Sequence, residues 1–389
     1  MYILCDMYIR KQILSDTNTE SIFLFGARQT GKSHLLHTLF PDAVYIDLLE
    51  TDTKNRFMQQ PSLLRDVLEK EANNTLVIID EIQQVPDLLN EVHLLISRKQ
   101  MRFILCGSSA RKLKRQGVNT LGGRALPENL YPLVSAEIPD FDLQRALTNG
   151  LLPKIYQSER PTRLLQAYVD IYLKEEIQAE ALVRNLKSFS RFMEVAALTN
   201  GEIVNYNNIA TDCGVSAKTV ADYFSILQDT LIGYLVPAFV DKQKRRLVQA
   251  PKFWFFDVGV VNHLLHRKDL VRGTVEYGHA FEHFIIQELI AYIGYHWHEH
   301  TLSYWRTYTG VEVDVVITNS HNEPILAIEI KSVQEVQRKH LKGLFSFAND
   351  YPSCKLMCVS LDKLTRQSDG VDLLYLNDFL EKLWSEQLF

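Results

Sequence analysis

The stretch GARQTGKS, residues 26–33, has the residue types and spacing of a phosphate cradle. Gly26 and Gly31 frame a loop whose backbone N–H groups can turn toward phosphate oxygens, and Lys32 and Ser33 follow at once. The apolar run SIFLF precedes the loop and the helical pattern KSHLLHTLF follows it. The positive end of a helix dipole would therefore face the phosphates. Gly26, Ala27, Arg28, Gln29, Thr30, Gly31, Lys32, Ser33 and His34 are the candidate nucleotide contacts. Lys32 is expected to reach the β- and γ-phosphates of ATP, and Ser33 to ligate Mg2+.

The partner of that loop is NTLVIIDEIQQV. Four apolar residues predict a buried parallel strand with Asp80 and Glu81 at its carboxyl end, where open α/β sheets bind ligands. Asp80 would hold the Mg2+ shell, and Glu81 would polarise the attacking water. A second buried strand, RFILC, runs into Gly107, Ser108 and Ser109. A hydroxyl there, Ser108 first, could sense the γ-phosphate; the other reading is a serine-rich turn capping the next helix. Arg124 follows Gly122 and Gly123 and suits a finger offered to a neighbouring subunit's ATP, which implies a homo-oligomer. Its bland alternative is a phosphate or surface contact.

A second constellation lies in VEVDVVITNSHNEPILAIEIKS, residues 311–332. Asp314 sits on one short apolar run, and Glu329 and Lys331 sit two apart on the next, so they share a face. In an antiparallel hairpin Asp314 and Glu329 approach each other, and Glu282 or Glu288 joins them from the preceding helix. Glu312 shares the face of Asp314 and could replace or crowd it. Glu282, Asp314 and Glu329 are thus candidate metal ligands for Mg2+. Lys331 would stabilise charge on phosphate or orient water. The alternative is a set of ion pairs on a sheet edge, since such groups are costly among apolar strands unless paired. In HWHEH, His296, His298 and His300 share one face of a predicted extended segment, a weaker candidate for zinc or copper.

Positioning these groups takes more than one core. A chain of 389 residues implies two or three domains. The motifs and patterns along the chain divide it at 1–150, 151–268 and 269–389. The middle reads as helical from 151 to 187, then as a helix ending at Leu198 and another over 206–212. Gly214 makes a turn, and Ser216 caps a third helix whose inner face is Val220, Tyr223, Phe224 and Leu227. Predicted strands at 231–240 and 251–256 flank DKQKRR as a wing. Helix, glycine turn, helix is the helix-turn-helix pattern. It fits either duplex DNA contact, with Lys218, Thr219 and Asp222 outward, or protein packing.

The bulk numbers exclude several classes. A net charge of −5 argues against a uniformly basic nucleic-acid coat. From Val92 to Pro127, however, there is no acid, and Arg98, Lys99, Arg102, Arg111, Lys112, Lys114, Arg115 and Arg124 fall in that span. That span and KQKRR at 242–246 can meet phosphates or simply be solvated loops. The five cysteines are scattered without a CxxC pair, which gives neither a zinc site nor a disulfide framework. No apolar run reaches the roughly 18 residues of a membrane helix. MYILCDMYIRK lacks the form of a signal peptide. The expectation is a cytoplasmic protein without membrane contact.

Residues 7–140 resemble the AAA+ ATPases, in particular a bacterial and archaeal group with ARQTGKS, IIDEIQ, CGSSARKL and GGRALPENLYPLVSAE in this order. The resemblance implies a nucleotide-dependent switch or motor, often oligomeric. The last third looks like the PD-(D/E)xK restriction-endonuclease superfamily, although Val313 stands where the motif has proline. It also resembles the uncharacterised DUF4143 domain that accompanies that AAA+ group. The implied fold class is α/β: a P-loop AAA+ core with a parallel sheet, an all-α and winged-helix middle, and an α/β restriction-endonuclease-like C-terminal domain. The implied function is ATP binding and hydrolysis coupled to action on DNA through the winged helix and a metal-dependent nuclease-like domain. The rival is an ATP-dependent scaffold or regulator whose nuclease-like domain is non-catalytic. A pure DNA-binding repressor would not need Glu81.

Overall fold

The computed structural model describes residues 8–14, 19–109, 124–173, 186–240, 250–296 and 299–388. Its N-terminal sheet is built from β1 (Ser21–Phe25), β2 (Val44–Asp47), β3 (Leu76–Asp80), β4 (Arg102–Gly107) and β5 (Ala125–Asn129), all parallel, in the order β2-β3-β4-β1-β5. SIFLF, LVIID and RFILCG are nearly continuous apolar runs because both faces of these strands are covered. Helices α1 (Lys32–Leu39), α2 (Thr51–Gln59), α3 (Leu63–Val67) and α4 (Leu88–Lys99) connect and cover them. Since β4 lies between β1 and β3, the loops after all three strands meet at one carboxyl edge.

The middle region is helical: α5 (Leu143–Asn149), α6 (Pro153–Gln157), α7 (Pro161–Ala167) running into a π-turned segment (Tyr168–Leu173), α8 (Leu186–Leu198), α9 (Tyr206–Cys213) and α10 (Ala217–Asp229). Asn205 caps α9 and Ser216 caps α10 through their side-chain oxygens. Between the two helices Gly214 takes φ 66°, a left-handed turn that glycine enters without strain. β6 (Gly233–Val236) and β7 (Lys252–Phe255) form a two-stranded antiparallel ribbon, shorter than the sequence predicts, and α11 (Val258–Leu264) follows. Phe192, Phe224 and Phe253 fix the centre, with ring centroids 4.9 and 4.8 Å apart.

The C-terminal sheet has the order β12-β13-β11-β10-β9-β8. The ranges are β8 (Thr301–Arg306), β9 (Glu312–Thr318), β10 (Pro324–Lys331), β11 (Lys355–Ser360), β12 (Arg366–Ser368) and β13 (Val371–Tyr375). β8, β9 and β10 are antiparallel; β10, β11 and β13 run parallel. The 22-residue helix α12 (Val275–His296) packs Phe281, Ile285 and Leu289 onto one face, against Val315, Ile317 and Ile328. On the other face α13 (Lys342–Asp350) packs Leu344 and Phe347 against Val313, Val316 and Ala327. Each of the Val, Ile, Leu and Phe side chains among these contributes about 1.5–3 kcal/mol through burial. α14 (Leu376–Trp384) closes the chain.

One expectation is corrected here. His296 is not on an extended segment; it is the last residue of α12, because the apolar spacing continues through Tyr292 and Tyr295. Its ring lies against Tyr292, 4.3 Å between centroids, and His298 lies outside the described residues. Arg111, Lys112, Lys114, Arg115, Gly122, Gly123 and the KQKRR segment also lie outside them.

Candidate nucleotide site and acidic cluster

The loop after β1 closes tightly. A Cβ on Gly26 would meet the Leu130 carbonyl oxygen at 2.5 Å, and Gly31 takes φ 96° as the cap of α1. Lys32 is buried and folds back on the loop, its Nζ donating to the carbonyls of Gly26 (2.6 Å) and Ala27 (3.2 Å). Those carbonyls keep the ammonium where a phosphate oxygen can replace them. Thr30 Oγ1 also donates to Ala27. The loop is gripped from behind, since Arg10 Nη1 donates to the Thr30 carbonyl at 2.6 Å. From the middle region, the Tyr168 hydroxyl donates to the Arg28 carbonyl at 3.2 Å. Gln29 and His34 are half-buried beside it.

Asp80 lies across the edge. Ser33 Oγ and the Tyr45 hydroxyl both donate to its Oδ2 at 2.6 Å. Burial, and then Asp80, raise the Tyr45 pKa, so Tyr45 stays a donor. This paired hydroxyl and carboxylate is the donor set that octahedral Mg2+ takes beside a phosphate, and the residues fit that ion. Glu81 follows at φ 58°, a left-handed backbone that is uncommon away from glycine. Ser108 is buried beside Gln83, whose amide also donates to Glu81. Ser109 points elsewhere: its Oγ donates to the Asp229 carbonyl at the end of α10, 3.2 Å away.

Arg124 is not drawn to this edge. It precedes Ala125, which pairs with Ser21 at the amino end of β1, whereas the phosphate loop leaves the carboxyl end. Its Nη1 donates to Ser97 Oγ at 2.6 Å and lies 3.0 Å from His93 Nε2. Arg124 therefore lies at the opposite end of β1 from this chain's own phosphate loop.

Asp314, Glu329 and Lys331 come together on adjoining strands. Asp314 Oδ2 accepts from the Ile330 N–H at 2.7 Å and lies 3.5 Å from Lys331 Nζ, which is 2.5 Å from Glu329 Oε1. Glu282 reaches this cluster from α12, whereas Glu288 does not; it accepts from Ser135 N–H (2.7 Å), Ser135 Oγ (2.9 Å) and Trp384 Nε1 (2.6 Å). Burial, and then Asp314, push the pKa of Glu282 and of Glu329 upward. Asp314 and Glu329 hold the Lys331 ammonium above its ordinary range although burial opposes that.

Sequence reasoning missed Lys252. It extends from β7 of the middle ribbon, buried, to pair with Glu312 and to approach Glu282 at 3.9 Å. Its signal was faint, a lone lysine before the aromatic run KFWFF. The two lysines occupy the spaces between the acids. Among the described residues no three His, Cys, Asp or Glu side chains converge closely enough to hold a metal ion. The expected shell of Glu282, Asp314 and Glu329 is thus not formed in this arrangement.

Residues 18–138 match the AAA domain family, 140–270 match a domain of unknown function, DUF8612, and 277–379 match the domain of unknown function DUF4143. Two curated relatives, "Uncharacterized protein Rv2008c" of Mycobacterium tuberculosis and "Uncharacterized protein Mb2031c" of Mycobacterium bovis, are each 24% identical over 334 residues, 83% of this chain and 73% of theirs. Solved structures overlap weakly. The Aeropyrum pernix ORC1 protein in complex with DNA is 12% identical, with a TM-score of 0.26 over 64% of this chain and 86% of its own. A signal-transduction ATPase with a tetratricopeptide repeat sensor from Pyrococcus horikoshii is 14% identical, with a TM-score of 0.25 over 73% and 49%. Among the described residues no helix is long and apolar enough to cross a membrane. The chain carries an AAA domain followed, at its C-terminal end, by a DUF4143 domain.

Proposed function

We propose that the protein binds and hydrolyses Mg2+-ATP at the loop of residues 26–33 and uses that cycle to act on DNA. The observation that carries the ATPase reading is the 2.6 Å bond from Ser33 Oγ to Asp80, set beside the buried Lys32. Lys32 would take the β- and γ-phosphates, Ser33 and Asp80 would hold Mg2+, and Glu81 would orient the attacking water, with Ser108 at the γ-phosphate. Bound Mg2+ would supply charge neutralisation between the phosphates. The proposed units are 1–150, 151–268 and 269–389, and Arg124 would serve the ATP of a second copy in a homo-oligomer.

For DNA, support comes from α9, the Gly214 turn and α10, with the antiparallel β6–β7 ribbon read as a wing. Lys218 and Asp222 are exposed on α10. The C-terminal unit is read as a PD-(D/E)xK nuclease-like fold. Its lysine-filled acidic cluster favours the rival in which that unit binds nucleic acid or protein without cutting. Cleavage is kept as a second reading by one observation: Glu329 Oε2 is buried without a hydrogen-bond partner, a spare ligand oxygen.

The test uses plasmid, linear and branched DNA with Mg2+ or Mn2+, with and without ATP, for wild type, Lys32→Ala and Lys331→Ala. DNA-stimulated ATP turnover, lost in Lys32→Ala, is the expected result. Cleavage lost in Lys331→Ala would establish the second reading. ATP turnover indifferent to DNA, with no DNA bound, would leave the scaffold.

A further inference from the structure

Between Glu81 and Ser108 stands a side chain that no role above has absorbed. Gln83 is 4% exposed, and its Nε2 donates both to Glu81 Oε2 and, at 3.2 Å, to Ser108 Oγ. An ionised carboxylate only accepts, so the amide atom facing Glu81 must be the nitrogen, and its two hydrogens account for both bonds. Gln83 Oε1 is buried with no hydrogen-bond partner. It is pressed so close to the backbone that a Cβ on Gly107 would meet it at 2.4 Å. The glycine of CGSS is therefore the room this amide needs. A buried polar atom left unpaired is destabilising. Burial of Gln83 is thus costly, and its two bonds are what it delivers.

We infer that Gln83 is a positioning residue for ATP hydrolysis: it holds Glu81 and Ser108 as one unit, so that the group meeting the γ-phosphate sets the aim of the group orienting water. This rests on the ATPase reading above. Glu81 has its Oε2 tied to the amide. The left-handed backbone at Glu81 confines its side chain further. A hydroxyl drawn toward phosphate would pull on the same amide and turn the carboxylate with it.

The experiment compares ATP turnover and fluorescent-nucleotide binding in wild type, Gln83→Met, Ser108→Ala and the double variant. Methionine keeps the volume and removes the donors. Gln83→Met is expected to lower kcat about 10-fold or more, part of the 10²–10⁴ a positioned base supplies, with nucleotide affinity within about twofold. The double variant should lose no more than the worse single one, as residues acting as a unit do. Gly107→Ala gives an independent route: it displaces the amide without removing a polar atom and should reproduce the kcat loss. Turnover within twofold of wild type in Gln83→Met, or losses that add with Ser108→Ala, would overturn the assignment. A wild type that binds nucleotide but never turns it over sinks the ATPase reading itself, and this one with it.

Discussion

Ser108 and Ser109 are neighbours in sequence and face different parts of the molecule. Ser108 joins the amide that holds Glu81, while Ser109 Oγ bonds the Asp229 carbonyl, the end of α10. One turn of chain thus touches the candidate hydrolytic group and the candidate DNA-reading helix. In Ser109→Ala, basal ATP turnover is expected to stay within about twofold, while its stimulation by DNA falls. An ATPase assay with and without duplex DNA reads both, and an unchanged stimulation ratio would refute the link. A single neutral hydrogen bond is worth about 1 kcal/mol, enough for a roughly fivefold change in coupling.

Lys32→Ala and Glu81→Gln should separate binding from chemistry. The first is expected to weaken nucleotide binding at least about 10-fold. The second is expected to keep affinity and lower kcat about 10²-fold or more. Titration with a fluorescent nucleotide beside a turnover assay decides the matter.

Gly26→Ala should fail for a steric reason alone. Its methyl would sit 2.5 Å from the Leu130 carbonyl, so the loop and β5 must part. We expect about 1–3 kcal/mol of lost stability together with lost nucleotide binding. Chemical denaturation measures the first; a variant of wild-type stability that still binds ATP would refute the contact.

Acid should loosen the seam between the middle ribbon and α12. His283 Nε2 donates to the Phe255 carbonyl, and burial pushes the imidazole pKa down to about 4. As pH falls, the unfolded chain takes up the proton first, near the ordinary value of about 6.5. The stability is therefore complete above about 6.5 and is lost on descent toward 4, at most about 3 kcal/mol. His283→Gln should flatten that stretch of the stability-against-pH curve, measured by urea midpoints from pH 7.5 to 5.

Lys252→Met leaves Glu282 and Glu312 without their shared cation. Breaking a buried pair costs about 3–5 kcal/mol, and the partial exposure of these carboxylates places the expected loss near 2 kcal/mol. Thermal melts should show it. An unchanged melting temperature would mean that solvent already screens the pair.

The phosphate loop, Asp80 and Glu81 were legible because each is fixed by local sequence: glycines at a turn, an apolar strand, an acid at its end. The same holds for Gly214 and Ser216, which mark the break and cap of α9 and α10. What was hidden came from long-range contact. Nothing near residue 252 announces that its ammonium meets a carboxylate 60 positions later. Glu288 reads like Glu282 on the helix pattern, yet packing against Ser135 and Trp384 sends it to another partner. Arg124 looked like a finger on a glycine hinge, and only the register of β5 with β1 shows which end of the sheet it occupies.

Tyr131 has its ring seated on α12, where a methyl on Gly294 would meet its hydroxyl at 2.3 Å, and its N–H donates to the Tyr295 hydroxyl. Arg10 donates to that Tyr295 hydroxyl through Nη2 and to the Thr30 carbonyl of the phosphate loop through Nη1. The gene therefore has no clean seam at the apparent boundary near residue 270. Expressing the first two thirds alone would strip Arg10 and Tyr131 of their cover, and expressing the last third alone would open Glu288 and Tyr295 to water. Arg10 would keep Glu137, but each fragment would expose apolar surface that the other covers, so the two pieces are expected to be recovered intact only when made together.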